Sequence, residues 1–171
     1  MKSNRSPGTL RRSVEERMDT VRDIIEFLAA RRETLSVAES CTGGLVAAAI
    51  VAIPGASRVF TEGIVAYADE VKTARLRVEP ATIERHGAVS IETVRAMLAG
   101  LSADARIAVS GIAGPDGGTA VKPVGTVVIG ARYRDEERIV LHCFSGDRAV
   151  VRQAAVREAF TLLRALLAPT S

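Results

Sequence analysis

The sequence has few of the residues on which several classes of protein depend. Its 171 residues include two cysteines, two histidines and no tryptophan, and aromatic residues make up 4% of the chain. Two cysteines, Cys41 and Cys143, are too few for a disulfide framework in a chain of this size, so we expect a reducing, cytoplasmic environment. No apolar run approaches about 18 residues and the first residues lack an apolar region, which argues against a membrane span and a secretory signal.

The net charge of +3 comes from the N-terminus. Lys2, Arg5, Arg11 and Arg12 supply four positive charges there, whereas the rest of the chain carries 19 of the 23 basic residues and all 20 acidic residues. A basic leader could touch nucleic acid weakly. The nearly neutral remainder has neither a basic face nor the aromatic residues of a recognition surface, so we expect no nucleic-acid partner.

Apolar periodicity predicts one α/β domain, residues 13–168, behind a flexible basic leader, residues 1–12. No linker or repeat interrupts the alternation of helices and strands, and a predicted hairpin requires that the sheet be mixed. We predict helices over 13–31 (with Ser13 as N-cap), 43–53, 69–76 (with Asp69 as N-cap), 80–86, 90–101 and 147–167, and strands over 35–39, 59–67, 105–109, 124–133 and 138–144.

A polar corner, residues 40–44, separates the buried strand at 35–39 from a helix of small residues. The first N–H groups of that helix and the positive end of its dipole suit an anion, and Gly43 and Gly44 would let a ligand approach the backbone. Ser40, next to these donors, has the arrangement that acyl transfer requires. The plainer alternative is that Ser40 or Thr42 only caps the helix.

The choice of a base for a serine nucleophile is narrow. His142 lies within an apolar strand and His86 at a helix end, so a Ser-His-Asp triad has little support. Lys72 follows in the first turn of a helix, where burial and the dipole favour its neutral form, and Tyr67 could relay a proton. The alternative is an exposed lysine and a core tyrosine.

A glycine-rich segment, residues 110–123, is longer than an ordinary connection. Its glycines could surround a polar ligand with backbone N–H groups, although their spacing fits neither a Walker A motif nor a dinucleotide fingerprint. Asp116 could bind ribose hydroxyls, and either the backbone or Arg148 could bind a phosphate. Alternatively, Asp116 is a turn residue and Arg148 a surface cation. The predicted substrate-binding residues are Thr42, Gly43, Gly44, Gly111, Gly114, Asp116, Gly117, Gly118 and Arg148.

Two other kinds of site have little support. Cys41 is better explained as a small buried residue than as a nucleophile, because no cation is fixed beside it in the sequence. The His, Cys, Asp and Glu residues form no cluster with metal-ligand spacing, so we expect neither a metal nor another cofactor.

Six motifs resemble, in the same order, the C-terminal domain of the competence/damage-inducible CinA proteins, which also occurs alone as the bacterial nicotinamide-nucleotide amidase PncC. The resemblance covers roughly residues 36–167 and implies a three-layer α/β/α sandwich with its loops gathered at one edge. The motifs are ESCTGG at 39–44, IPGAS at 53–57, HGAVS at 86–90, SGIAGPDGG at 110–118, KPVGT at 122–126 and SGDR at 145–148.

The same resemblance implies an activity. The serine, tyrosine and lysine of the amidases match Ser40, Tyr67 and Lys72, which implies hydrolysis of the carboxamide of nicotinamide mononucleotide by a homodimer or larger assembly. A non-catalytic nucleotide-binding or interaction domain and a hydrolase of another amide are the alternatives. The chain departs from the family pattern at 68–69, where Ala-Asp replaces Ser-Asn, at Ile91 and at 120–121, which affects substrate affinity more than the reaction.

Overall fold

The computed structural model describes residues 7–168, and the side chains of residues 18–168. One mixed sheet of five strands lies between two layers of helices, which confirms the α/β/α fold. Within these residues, no helix combines the length and the apolar character that crossing a membrane requires. The elements are α1 (Pro7–Arg31), β1 (Leu35–Glu39), α2 (Leu45–Val51), β2 (Phe60–Val65), α3 (Asp69–Leu76), α4 (Pro80–His86), α5 (Ile91–Ala99), β3 (Ala105–Gly111), β4 (Thr126–Tyr133), β5 (Glu136–Cys143) and α6 (Arg148–Leu167).

The strand order is β2-β1-β3-β4-β5. The first three strands are parallel, with Glu39 paired to both Val65 and Val109, whereas β4 and β5 run antiparallel to their neighbours. The ends of β1, β2, β3 and β5 and the start of β4 therefore share one edge of the sheet, here called the carboxyl edge. The opposite edge, where β1 and β3 begin, is called the amino edge.

Two apolar cores hold the layers together. Helices α1, α2 and α6 cover one face of the sheet, and α3, α4 and α5 cover the other. Because β1 lies between strands and under helices on both faces, all five of its residues are buried, as is usual for parallel strands. The outer strands β2 and β5 are much more exposed.

Several predicted helix starts are confirmed. Ser90 caps α5, since its side chain accepts a hydrogen bond from the N–H of Thr93, and Asp147 caps α6 by accepting one from Val150. Pro80 opens α4, at a position where the missing proline N–H costs nothing. These signals lie within three residues of the helix start, so the sequence alone reveals them.

Three other helix starts differ from the prediction. Helix α1 begins at Pro7 rather than Ser13, because proline suits a first helical turn. The predicted flexibility of the leader falls partly on residues 1–6, which lie outside the described residues. Helix α2 begins only after Gly44, whose φ of 92° is left-handed. Ala68 is the N-cap of α3, so Asp69 is its first residue and not its cap.

Candidate functional site

The polar segments singled out in the sequence meet at the carboxyl edge. The guanidinium of Arg148, at the start of α6, donates to the hydroxyl of Tyr67 at 3.0 Å and to the carbonyl of Gly114 at 2.9 Å. The hydroxyl of Ser110, near the end of β3, donates to the carbonyl of Ala88 at 2.8 Å. Segments that are far apart in the chain thus border one region.

Ser40 lies at the end of β1 and is 9% exposed. Its N–H donates to the carbonyl of Val109 at 2.9 Å, and its carbonyl accepts from the N–H of Gly43 at 3.0 Å. Its backbone is therefore fixed by the sheet and the turn. The Ser40 hydroxyl makes no hydrogen bond within the described part of the chain, so it is available to a ligand.

The start of α2 is capped by a residue that sequence reasoning missed. The Glu39 carboxylate accepts hydrogen bonds from the N–H groups of Gly44 at 3.0 Å, Val46 at 3.0 Å and Ala47 at 2.8 Å. Because these donors and the helix dipole already have an anionic partner, the predicted anion site at this helix start is filled by the protein itself. The alternative in which Ser40 or Thr42 caps the helix is also wrong.

Fewer N–H groups of the turn 41–44 are free to stabilise an oxyanion than the sequence predicted. Gly43 and Gly44 use their N–H groups on Ser40 and Glu39. The N–H groups of Cys41 and Thr42 donate to no other residue among those described. These two amides are the donors that remain for a ligand.

Arg152 donates two hydrogen bonds to carbonyls of the same turn. Its Nε donates to the carbonyl of Cys41 at 3.0 Å, and its Nη2 donates to the carbonyl of Thr42 at 2.7 Å. Arg152 is a half-buried residue of α6, one turn after Arg148. The only sequence signal was a second cation on the same helix face, which does not predict a contact with a turn 110 residues away.

The side chains of Cys41 and Thr42 are both buried. Burial raises the pKa of the Cys41 thiol from 9.0 to about 11, so this cysteine is neutral near pH 7, and it packs so tightly that a Cβ at Gly111 would lie 3.0 Å from its sulfur. This supports its interpretation as a small buried residue. The Thr42 side chain is 0% exposed, and its hydroxyl has no hydrogen-bond partner among the described residues.

Lys72 is buried, with 1% exposure, whereas Tyr67 is 57% exposed. This is the reverse of the alternative in which the lysine is exposed and the tyrosine is in the core. The Lys72 ammonium donates to Asp69 Oδ1 at 2.9 Å and to the carbonyl of Tyr67 at 3.3 Å, and it makes no described hydrogen bond to Ser40. The buried Lys72 ammonium is therefore paired with the half-exposed Asp69 carboxylate.

The glycine-rich segment is shaped largely by its own packing. Gly114 has a φ of 83°, and a Cβ there would lie 2.5 Å from the Val124 side chain. The Lys122 ammonium donates to the carbonyl of His86 at 2.8 Å and so ties the segment to the end of α4. Asp116 is exposed. These glycines are therefore required by the loop itself, and the ligand contacts predicted for Gly111, Gly114, Gly117 and Gly118 remain predictions.

Neither histidine is bonded to Ser40 in the described residues. His86 Nδ1 lies 3.7 Å from Glu92 Oε1, and the ring of His142 stacks on that of Phe144 with centroids 5.0 Å apart. In residues 18–168, no three His, Cys, Asp or Glu side chains come together as a group able to hold a metal ion.

Comparison with known proteins identifies the family. Residues 18–167 match the model of the CinA C-terminal domain. The chain is 48% identical over 134 residues to a CinA-like protein of Fusobacterium nucleatum subsp. nucleatum, covering 78% of this chain and 33% of that protein. It is 43% identical over 157 residues to a CinA-like protein of Thermotoga maritima, covering 90% and 38%. The chain thus spans about a third of the length of these curated relatives.

Solved structures match nearly the whole chain. The competence damage-inducible protein A from Klebsiella pneumoniae subsp. pneumoniae superposes with a TM-score of 0.85 at 37% identity, covering 91% of this chain and 99% of that one. The competence/damage inducible protein CihA from Agrobacterium tumefaciens gives 0.85 at 37% identity, covering 88% and 94%. From the match to the family model and these relatives, the chain belongs to the CinA C-terminal domain family.

Proposed function

We propose that this protein hydrolyses the carboxamide of nicotinamide mononucleotide to nicotinate mononucleotide and ammonia. The observation that carries the proposal is the Ser40 hydroxyl, which has no partner among the described residues and is followed by two amides that donate to no other residue there. Acyl transfer from an amide requires a nucleophile and nearby donors for the oxyanion. The resemblance to the amidases supports the substrate.

In the proposed reaction, the Ser40 oxygen attacks the carboxamide carbon and transfers its proton to Lys72, with Tyr67 as a possible relay. The N–H groups of Cys41 and Thr42 stabilise the resulting oxyanion. The proton then passes to the nitrogen as the C–N bond breaks and ammonia leaves. Water hydrolyses the acyl-serine ester by the reverse transfer. In the attack by Ser40, Lys72 acts as the free amine, away from the Asp69 carboxylate, with which it pairs at 2.9 Å.

The rest of the substrate would bind along the same edge. Arg148 brings an exposed guanidinium to Tyr67, where it could bind the phosphate, and the exposed Asp116 carboxylate could accept hydrogen bonds from the ribose hydroxyls. The mechanism uses no metal or other cofactor.

We also propose that the active protein is a homodimer or a larger assembly. Light scattering would test this, and a purely monomeric mass would contradict it.

The test is a product assay on the full chain. Ammonia and nicotinate mononucleotide should appear in equal amounts, and Ser40→Ala should lower turnover by about 10⁴-fold or more, the scale of losing a nucleophile. Ser36→Ala is the matched control, because Ser36 lies in β1, the strand that Ser40 follows, is 0% exposed and has a hydroxyl with no described partner. It should keep native turnover. Full turnover by the Ser40 variant would overturn the role of Ser40.

A non-catalytic nucleotide-binding domain is the second candidate. The contact of Lys72 with Asp69 rather than with Ser40 favours it. In that case nicotinamide mononucleotide would raise the melting temperature of the native chain and of the Ser40 variant equally, and no ammonia would form. Binding without product would therefore favour the nucleotide-binding domain over the amidase. Absence of both binding and product would show that nicotinamide mononucleotide is not the substrate.

A further inference from the structure

We propose that Arg152 is a positioning residue, which orients the Thr42 N–H toward the oxyanion of the bound acyl group. This inference rests on the proposed function of Ser40 as a nucleophile. It adds a role for a residue of α6 that lies 110 residues from the turn it contacts.

The first step of the argument is peptide geometry. The carbonyl of Cys41 and the N–H of Thr42 belong to one planar trans peptide, so they point in opposite directions. Arg152 Nε holds that carbonyl at 3.0 Å. Fixing the carbonyl toward α6 therefore fixes the Thr42 N–H away from α6, with its donor free of other described residues.

The second step concerns the next peptide. Arg152 Nη2 holds the carbonyl of Thr42 at 2.7 Å, and the N–H of that same peptide, on Gly43, donates to the carbonyl of Ser40 at 3.0 Å. One guanidinium thus fixes both peptides that flank Thr42, and the second connects it to the nucleophile's own backbone. Charge-assisted bonds of this kind also polarise the peptides and strengthen their N–H groups as donors.

Arg148 offers the matched comparison. It lies one turn earlier on the same helix, but it donates to the Tyr67 hydroxyl and the Gly114 carbonyl and not to the turn. Loss of Arg148 should weaken substrate binding. Loss of Arg152 should instead weaken an interaction formed only in the transition state, which lowers kcat and leaves KM nearly unchanged.

The kinetic test compares Arg152→Ala with Arg148→Ala in the full chain. We expect Arg152→Ala to lower kcat by about 10²-fold, as for a misplaced oxyanion donor, with KM within about threefold. Arg148→Ala should mainly raise KM. Guanidinium ion at a non-denaturing concentration should partly restore kcat to Arg152→Ala. If Arg152→Ala does not fold, Arg152→Lys replaces it. An unchanged kcat, or a change confined to KM, would overturn the proposal.

A second measurement separates this inference from the choice of substrate. When a fluorophosphonate reacts, the serine oxygen bonds to phosphorus, fluoride leaves and the serine proton passes to the base. The negative charge that develops on the phosphoryl oxygen during this attack needs the same donors. Arg152→Ala should slow labelling of Ser40 about 10²-fold, whereas the control Ser36→Ala should not. Labelling that is slowed in this way, without turnover of nicotinamide mononucleotide, supports the inference and rejects the substrate. Equal labelling of both variants rejects the inference, and no labelling of the native protein rejects Ser40 as well.

Discussion

The two edges of the sheet treat their polar groups differently. At the amino edge, the buried Glu33 carboxylate accepts hydrogen bonds from the Tyr133 hydroxyl at 2.9 Å and from the guanidinium of Arg134. Asp104 accepts from both the N–H and the hydroxyl of Thr34, each at 2.8 Å. At the carboxyl edge, the hydroxyls of Ser40 and Thr42 and the N–H groups of Cys41 and Thr42 donate to no other described residue. Buried polar atoms of Ser36, Arg132 and Glu137, nearer the amino edge, also lack a hydrogen-bond partner among the described residues.

The hydrogen-bonded carboxylates of the amino edge contribute to stability. The hydrogen bonds from Thr34 hold the pKa of Asp104 below its ordinary value of 3.8, so this contribution to stability is present above that value and is lost as the pH falls through the folded-state pKa. Unsatisfied groups at the carboxyl edge cost stability instead, and a ligand would satisfy them. A cleft of about 440 Å³ opens at the amino edge beside Phe27 and Tyr133.

Among the variants that test the comparison between the two edges, the largest effect on turnover is expected at Lys72. Lys72→Met should lower turnover by about 10²- to 10⁴-fold, the usual contribution of a general base. The melting temperature should change little, because methionine fills the buried space and the half-exposed Asp69 regains water.

Asp69→Asn is the matched control for Lys72. It keeps a hydrogen-bond acceptor beside Lys72 and removes only the carboxylate charge of the ion pair, so it should retain native turnover. Full activity in Lys72→Met would show that the lysine takes no part in the reaction. Loss of activity in Asp69→Asn would show that the ion pair assists the reaction.

An intermediate effect is expected at the amino edge. Glu33→Ala should lower the free energy of unfolding by about 2 kcal/mol, because it leaves the Tyr133 hydroxyl without its partner. Turnover per folded molecule should not change. Urea unfolding and the product assay measure the two quantities, and Tyr133→Phe, which removes only the donor, should cost less. A large loss of turnover with native stability would contradict the division between the two edges.

The smallest effect is expected at Thr42. Its hydroxyl is buried without a described partner, so Thr42→Val should raise the free energy of unfolding by up to about 1 kcal/mol. Denaturant unfolding and KM distinguish two roles. A stabilised variant with native KM means that the hydroxyl is only an uncompensated buried group. An increase of KM by about tenfold, about 1.4 kcal/mol, would make it a substrate contact, as the sequence had suggested.

Local signals account for much of what could be predicted. The caps at Ser90 and Asp147 and the bounds of α3 and α4 follow from residues at or next to the helix ends. The cap of α2 could not be predicted in this way. Glu39 precedes the N-cap by five residues and reaches the helix only because the turn 40–44 folds back over the strand end.

By itself, the sequence determined the order of the elements and the polar breaks between them, because each signal lies within a few residues. The candidate pair of Ser40 and Lys72 came from the resemblance to the amidases. The tertiary structure alone decided the strand order β2-β1-β3-β4-β5, which brings the polar breaks to one edge. It also decided which backbone groups are already paired. Glu39 accepts hydrogen bonds from the first N–H groups of α2, and Arg152 donates to the carbonyls of the turn. The contact between Arg152 and Thr42 joins residues 110 apart in the chain.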